Sequence, residues 1–577
     1  MLTKFVYSCL VDADRLDAYL FENGLEYKPS NPDWDSFLAR LVKKLGTFDA
    51  TSEIGAFRRQ VSDSCAQAGA REQGIYKLEV PTGGGKTLAS LRFALEHAKR
   101  HGLERVIYVI PYLSILSQTA QDIRHTLDAD EFTVLEHHSG FLPDEPTYYK
   151  LQTDRWDAPV VLTTQVQFLE SLFSARGSDL RKLHNMANSV IIFDEAQSLP
   201  VKCVHLFNGA INFLYSVCGS TILLCTATQP LLDKVNRPIR LSENPSLVQC
   251  GPLAKRTRVV SKIKADGYSY LELADFVRER HESSTLVIVN TKAAAKALYE
   301  ELKDDEVAVL HLSTNMCAAH RDAVIAELRQ RLKEREPILC ISTQLIEAGV
   351  DISFACVIRE VAGLDSIYQA AGRCNRHGEF EQVKDVYVVN ISGQKLDKLP
   401  DIKIGAEITR WLFDEGRGDN IEEYYRRYFY ARRGSTDYSI EGGTLYDLLS
   451  HNKQGQHSYR GRKDKKGVPP PRMLAAIRSA ADGFYVIDRG RMEVIVPYGR
   501  ALELVSQYAA AAGDDAKRRR LLQTLGKYSV SLYQYQLDAL EQSGALYAQD
   551  GLTILAGGFY DPERGVDLDG RHEFLYV

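Results

Sequence analysis

Residues 78–91 read LEVPTGGGKTLASL. The run that leads in, IYKLEV (75–80), is apolar and β-leaning, and a helix-like pattern follows the Lys-Thr pair. A strand, a glycine-rich turn and a helix in that order make a phosphate-binding loop. Gly83, Gly84 and Gly85, after Thr82, let backbone amides converge on phosphate oxygens, and the helix N-terminus adds the positive end of its dipole. Lys86 is placed to reach the β- and γ-phosphates, and the Thr87 hydroxyl to ligate Mg²⁺. ATP and Mg²⁺ are therefore the expected cofactors.

Working outward from this turn, strand-like and helical stretches alternate from about residue 75 to 228. The strand-like runs are IYKLEV, RVIYVIP, PVVLTT, SVIIFDEA and TILLCTAT. Such alternation predicts a parallel sheet with crossover helices. Turn formers then gather over 229–255 and read as an interdomain segment. A second alternating series follows in TLVIVN, VAVLHLS, PILCIST, ACVIRE and DVYVVN. The first 45 residues read as two helices around an Asn-Pro turn (KPSNPDW). Beyond residue 400 the pattern turns helical and tyrosine-rich, with a polar, mobile-looking stretch at 451–471.

Bulk properties narrow the classes. A chain of 577 residues exceeds one ordinary core, so about three domains are expected. Hydrophobic residues make up 45% and charged residues 25%, an ordinary globular composition. The net charge of −5 means that any nucleic-acid site is a local groove rather than a general positive field. Ten cysteines without C-x-x-C spacing suggest buried thiols in a reducing compartment. No apolar run is long enough to span a bilayer and no secretory pattern opens the chain, so the expectation is a cytoplasmic protein with no membrane partner.

Two further motifs belong with the phosphate loop. SVIIFDEAQSLP is a buried-strand run ending in Asp194 and Glu195. A metal-bound triphosphate needs one acid for Mg²⁺, here Asp194, and one to polarise the attacking water, here Glu195. In DSIYQAAGRCNRHG, spacings of three and four put Gln369, Arg373 and Arg376 on one helical face. Arginines there can neutralise charge on the transferring phosphoryl group, an effect of about 10³–10⁵ in rate. The preceding ISTQLIEAGVDISF supplies Gly349 in a turn and Asp351 as a ribose-hydroxyl acceptor. With lysine and acids in one α/β domain and arginines in the other, ATP is expected between the two.

The ordered blocks resemble superfamily 2 helicases. Beyond the nucleotide motifs they include PYLSILSQ (111–118), LTTQVQF (162–168), CTATQP (225–230), VNTKAAA (289–295) and STQLIEAGVD (342–351). Val80 stands where the strict phosphate-loop pattern has glycine, a position that helicase-type loops relax. The resemblance covers about residues 50–395. It implies that Thr226 and Thr228 couple the γ-phosphate site to the strand-binding surface. It also implies that Thr163, Thr164, Asn290 and Thr343 touch a phosphodiester backbone, giving sequence-independent single-strand binding. The fold class that follows is α/β. It has two tandem RecA-like parallel-sheet domains (46–240 and 241–400), a short helical N-terminal segment (1–45) and a mostly helical C-terminal accessory region (401–577).

PTGGGKTLASLRFALEHA, LEHHSG, RWDAPVVLTTQVQFLESLF, DEAQSLP and QAAGRCNRHGE together look like the CRISPR-associated helicase of type I interference systems. That family implies 3′-to-5′ translocation on single-stranded DNA and recruitment to an RNA-guided, Cascade-like surveillance complex that has opened an R-loop. In the family a stretch similar to SCLVDADRLDAYLF closes a metal-dependent HD nuclease domain, whose aspartate would be Asp14, or else Asp12. This sequence has no His-Asp dipeptide, so a nuclease is expected as a separate or severed HD-bearing piece. An RNA helicase of the same superfamily and a nucleotide-gated scaffold that does not translocate are the competing readings. YYRRYFYARRG (424–434) reads either as a strand-binding surface or as an amphipathic helix with its rings in the core.

Overall fold

The computed structural model describes residues 1–27, 31–138, 146–248, 256–347, 350–441, 443–461, 476–487, 490–568 and 570. Residues 462–471 of the polar stretch 451–471 and residues 28–30 of the Asn-Pro turn lie outside them, while Lys453–Gly461 is helical. Two compact units emerge. Within the described residues, one takes residues 1–248 with 425–487, and the other takes 256–424 with 490–570.

In the first unit, β1 (Ile75–Glu79), β2 (Arg105–Ile110), β3 (Val134–His137), β4 (Val160–Thr164), β5 (Ser189–Phe193) and β6 (Thr221–Thr226) form one sheet, in the order β1-β6-β5-β2-β4-β3. Every pair is parallel. β2, β4, β5 and β6 are buried along their whole length, which is why they read as unbroken apolar runs. Side chains alternate between faces. Leu78, Tyr108, Leu162, Ile192 and Leu223 pack with the helices α2 (Trp34–Leu45), α3 (Glu53–Ala68), α4 (Lys86–His101) and α5 (Leu113–Leu127). The edge strand β3 was not anticipated from the sequence.

The N-terminal helix α1 (Leu2–Asn23) is inverted. Its buried residues are Lys4, Ser8 and Asp12, whereas Val6, Tyr7 and Leu10 are exposed. The Lys4 ammonium donates to the carbonyls of Leu172 and Ser174, each at 2.8 Å. Asp12 receives Nε of Arg155 at 2.7 Å and Nε of Arg181 at 2.8 Å. Burial works against the Asp12 carboxylate, but His184 and the two guanidiniums outweigh it and hold its pKa down at about 2. Asp12 is thus consumed by structural ion pairs, and Asp14 is exposed on α1.

In the second unit, six parallel strands run in the order β7-β12-β11-β8-β10-β9. They are β7 (Thr257–Ser261), β8 (Ser284–Ile288), β9 (Ala308–Leu312), β10 (Ile338–Ser342), β11 (Cys356–Glu360) and β12 (Lys384–Val389). β7 occupies one edge and, like β3, was not read as a strand beforehand. Two parallel sheets in series make tandem RecA-like domains, as expected.

The C-terminal third divides between the two units, with a boundary at Tyr424 and Tyr425. It is rich in helices but also holds a short hairpin, β13 (Ser439–Ile440) with β14 (Gly443–Thr444), and a four-stranded sheet that the sequence reading did not foresee. That sheet is β15 (Arg491–Ile495), β16 (Ser529–Tyr533), β17 (Leu546–Gln549) and β18 (Leu552–Leu555), in the order β16-β15-β18-β17. YYRRYFYARRG falls on the helix Ile421–Ala431 and just beyond it. Tyr424 and Tyr425 are buried and Arg426 and Arg427 exposed, the amphipathic arrangement. Among the described residues, no helix is long and apolar enough to cross a membrane.

Candidate nucleotide site and coupling relay

β1 delivers the chain to the glycine turn, and α4 leaves it at Lys86. Gly83 and Gly85 adopt φ of 77° and 85°, the left-handed region open to glycine at little cost. A Cβ on Gly84 would meet Cγ1 of Val80 at 2.5 Å, so glycine is required there on packing grounds too. Arg58 of α3 donates through Nε to the Gly83 carbonyl at 2.8 Å, which braces the turn from outside. The amides at the start of α4 are left for an anion. Thr82, Lys86 and Thr87 are all half-buried around this cradle.

The acids arrive from the end of β5. The Lys86 ammonium lies 2.7 Å from Oε1 of Glu195. Burial alone would lower the Lys86 pKa, but the charges of Glu195 and Asp194 outweigh it and raise it. Asp194 is pushed up to about 6, first by burial and then by the Glu195 charge, with Lys86 opposing. Glu195 itself sits at φ 48°, and its amide donates to Oδ1 of Asp194 at 3.1 Å. A half-buried acid beside a lysine and a glycine turn fits a magnesium-bound triphosphate: Asp194 and Thr87 suit the metal, Lys86 the phosphates.

The sequence reading had assigned no role to Gln197. Its Nε2 donates to Oε2 of Glu195 at 2.6 Å, and its Oε1 accepts from the Thr226 hydroxyl at the end of β6. The Thr226 oxygen also lies 2.9 Å from the Thr228 carbonyl, an alternative acceptor for its single proton, and accepts from the Thr228 amide at 3.0 Å. The Thr228 hydroxyl in turn lies 3.2 Å from the hydroxyl of Tyr425. Lys86, Glu195, Gln197, Thr226, Thr228 and Tyr425 are thus one continuous chain of polar contacts. The DEAQ spacing carried the signal for Gln197; nothing local marked Tyr425.

Other expected contacts are occupied internally. Thr163 donates to the His137 carbonyl at 3.2 Å, and Thr164 caps the helix Gln165–Phe173. In the second unit the Asn290 amide donates to the Val361 carbonyl at 2.9 Å and accepts from Arg359 at 2.7 Å. Thr343 is buried at the end of β10, its amide bonded to the Leu312 carbonyl.

The arginine motif requires a correction. The helix carrying Gln369 (Leu364–Ala371) ends at Gly372, so Arg373 and Arg376 do not share a helical face with Gln369. The chain instead turns back to pair beside Phe354, and Asn375 takes φ 44°. Arg373 is buried and donates to the carbonyls of Ile346 and Glu347 at 3.0 and 2.7 Å. Arg376 pairs with Asp351 at 2.7 Å, so the expected ribose acceptor is held by the arginine motif itself. Gly349 lies outside the described residues.

Comparison with known proteins fits this geometry. A DEAD/DEAH box helicase model matches residues 64–235, and a CRISPR-associated nuclease/helicase Cas3 C-terminal model matches residues 281–379. The chain is thus similar to DEAD/DEAH box helicases in its first α/β domain and to Cas3 proteins in its second. The Haloferax volcanii CRISPR-associated nuclease/helicase Cas3 is 26% identical over 531 residues, covering 71% of this chain and 55% of the relative. The Thermoproteus tenax CRISPR-associated helicase Cas3 is 30% identical over 376 residues, covering 59% and 62%. Crystal structures of T. fusca Cas3-ADP and Cas3-ATP each superpose with a TM-score of 0.66, at 14% and 15% identity, covering 96% of this chain and 74% of theirs. That likeness concerns the Cas3 helicase fold. The chain spans about half the length of the first curated Cas3 relatives.

Proposed function

We propose that this chain is an ATP-driven helicase that translocates on single-stranded DNA in CRISPR interference, unwinding target DNA after an RNA-guided complex has opened an R-loop. The observation that carries the reading is the unbroken relay from Lys86 through Glu195 and Gln197 to Thr226 and Thr228. A hydrolase with no motor role has no need to tie its water-activating acid to a loop distant from the phosphates. Here any shift of Glu195 on turnover is passed to the end of β6.

Within this proposal Lys86 and the turn of Gly83, Gly84 and Gly85 hold the triphosphate, the Gly84 amide having first to release or share its 3.0 Å bond to the Pro81 carbonyl. Glu195 orients and deprotonates the attacking water. Thr87 and Asp194 would hold Mg²⁺, which when bound supplies positive charge against the phosphate oxygens. Arg373 and Arg376 are the second domain's contribution to neutralising the transferring phosphoryl group. Because Asp351 pairs with Arg376, nucleotide binding exchanges one partner of that arginine for another. Thr163, Thr164, Asn290 and Thr343 are assigned to the strand backbone, and each must release or share a present bond to serve there.

A CRISPR RNA-guided surveillance complex in a pre-nicking state contains a chain that superposes with a TM-score of 0.56 over 86% of this one, at 14% identity. That likeness supports a Cascade-like complex as recruiting partner, with cleavage supplied by an HD-bearing segment or polypeptide. Displacement of streptavidin from a biotinylated DNA end tests the reading. ATP-dependent release from one end only is expected. Hydrolysis without release would favour a stationary scaffold, and release from RNA alone would favour an RNA helicase.

A further inference from the structure

In the second unit, the end of the β15–β16 pair presents aromatic and cationic side chains in a row. Arg491 and Tyr533 are cross-strand partners, and the guanidinium lies over the ring, 4.2 Å from its centroid. Two residues on, Tyr535 stacks on Tyr533 with centroids 5.9 Å apart and planes within 17°. The Lys398 ammonium caps the row, 4.6 Å from the Tyr535 centroid. Tyr533 and Tyr535 are 38% and 56% exposed, so two large rings are held parallel at the surface instead of in a core.

Beside Arg491 lies a second group of like charges. Burial first, then Arg491 and Arg321, draw the Lys292 pKa down to about 8, so both guanidiniums bear on the Lys292 ammonium. Lys292 donates to the neutral amide of Asn315 at 2.8 Å, and Arg321 to the Met316 carbonyl at 3.1 Å. Among the described residues none of the three makes an ion pair, although Asp322 bears on Arg321. Gathering like charges, with Lys292 and Arg321 half-buried and Arg491 exposed, costs stability in the free protein, and a polyanion offsets that cost. Lys292 also follows directly on Asn290 and Thr291, the block assigned above to a strand backbone.

We propose that Lys292, Arg321, Arg491, Tyr533, Tyr535 and Lys398 form a binding surface for single-stranded nucleic acid, with phosphates on the cations and bases against the two rings. Only an unpaired strand offers base faces, so duplex would use the cations and not the rings. The inference rests on the strand-translocation reading for the polymer, but apart from Lys292, which lies in the VNTKAAA block, its residues lie outside the motifs used there.

Anisotropy titration of the full chain with a labelled oligodeoxythymidylate of about 20 nucleotides provides the test. Tyr533→Ala with Tyr535→Ala is expected to weaken binding by about tenfold or more, and Tyr533→Phe with Tyr535→Phe to stay within about twofold. An abasic oligonucleotide should bind the unaltered chain about tenfold more weakly and be insensitive to the alanine pair. Arg491→Ala should reduce the slope of log affinity against log salt by about one. Undiminished binding by the alanine pair, or equal binding of abasic and normal strands, overturns this surface while leaving the motor reading intact. Failure of the unaltered chain to bind any single strand overturns both.

Discussion

The ammonium of Lys86 and the carboxylate of Glu195 are 2.7 Å apart, so the two groups assigned to phosphate and to water hold each other. Glu195 keeps the Lys86 ammonium charged against burial, and nucleotide must separate the two to be turned over. Glu195→Gln preserves the shape and removes the base. The expected outcome is a fall in kcat of about 10³ or more with nucleotide affinity kept within a few-fold. Lys86→Ala should lose both, because it strips the phosphate cation and strands Glu195. Stopped-flow nucleotide binding beside steady-state hydrolysis separates the two.

Gln197 is the joint of the relay. Gln197→Ala removes the Nε2 donor from Oε2 of Glu195 and one acceptor from the Thr226 hydroxyl. A hydrogen bond to a charged group is worth about 1.5–3 kcal/mol, so kcat should fall by about tenfold or more. Thr226→Ala, further along, is expected to spare much of the hydrolysis and to depress unwinding. Equal loss of both activities in Thr226→Ala would contradict a coupling role.

The arginines separate by burial. Arg376 pairs with a half-exposed Asp351, so Arg376→Ala should change thermal stability by no more than about 0.5 kcal/mol while lowering kcat by about 10³. Arg373 holds two loop carbonyls from a buried position, and Arg373→Ala should lower the melting temperature as well as the rate. Differential scanning calorimetry beside hydrolysis assays distinguishes the pair.

Asp12 gives a prediction about stability alone. Asp12→Asn would leave the guanidiniums of Arg155 and Arg181 without the charge between them, a loss of about 3 kcal/mol at neutral pH. The folded-state pKa is depressed to about 2, so the stabilisation is present above the unfolded value near 4 and is lost as pH falls through about 2. The gap between the two chains in melting temperature should therefore shrink steadily on acidification below about pH 4.

Both RecA-like sheets were legible because their inner strands are buried on two sides and spell unbroken apolar runs such as RVIYVI and ILCIS. The edge strands β3 and β7 were not, since VLEH and TRVVS mix polar residues into four or five positions and gain their structure from one neighbour only. Lys86, Asp194 and Glu195 could be placed by motif because their backbone frames are local. Arg373 and Arg376 misled, since spacing alone cannot reveal that Gly372 ends the helix before them. Tyr425 was invisible as a relay member: its partner Thr228 is remote in sequence, and only folding brings them together.

Coupling of hydrolysis at Lys86 and Glu195 to a single strand is read most directly from the steady-state ATPase rate with and without single-stranded DNA at low salt. Clear stimulation by the single strand, lost in Lys86→Ala, is the expected result. A rate indifferent to the strand, in a chain that hydrolyses ATP, would contradict it.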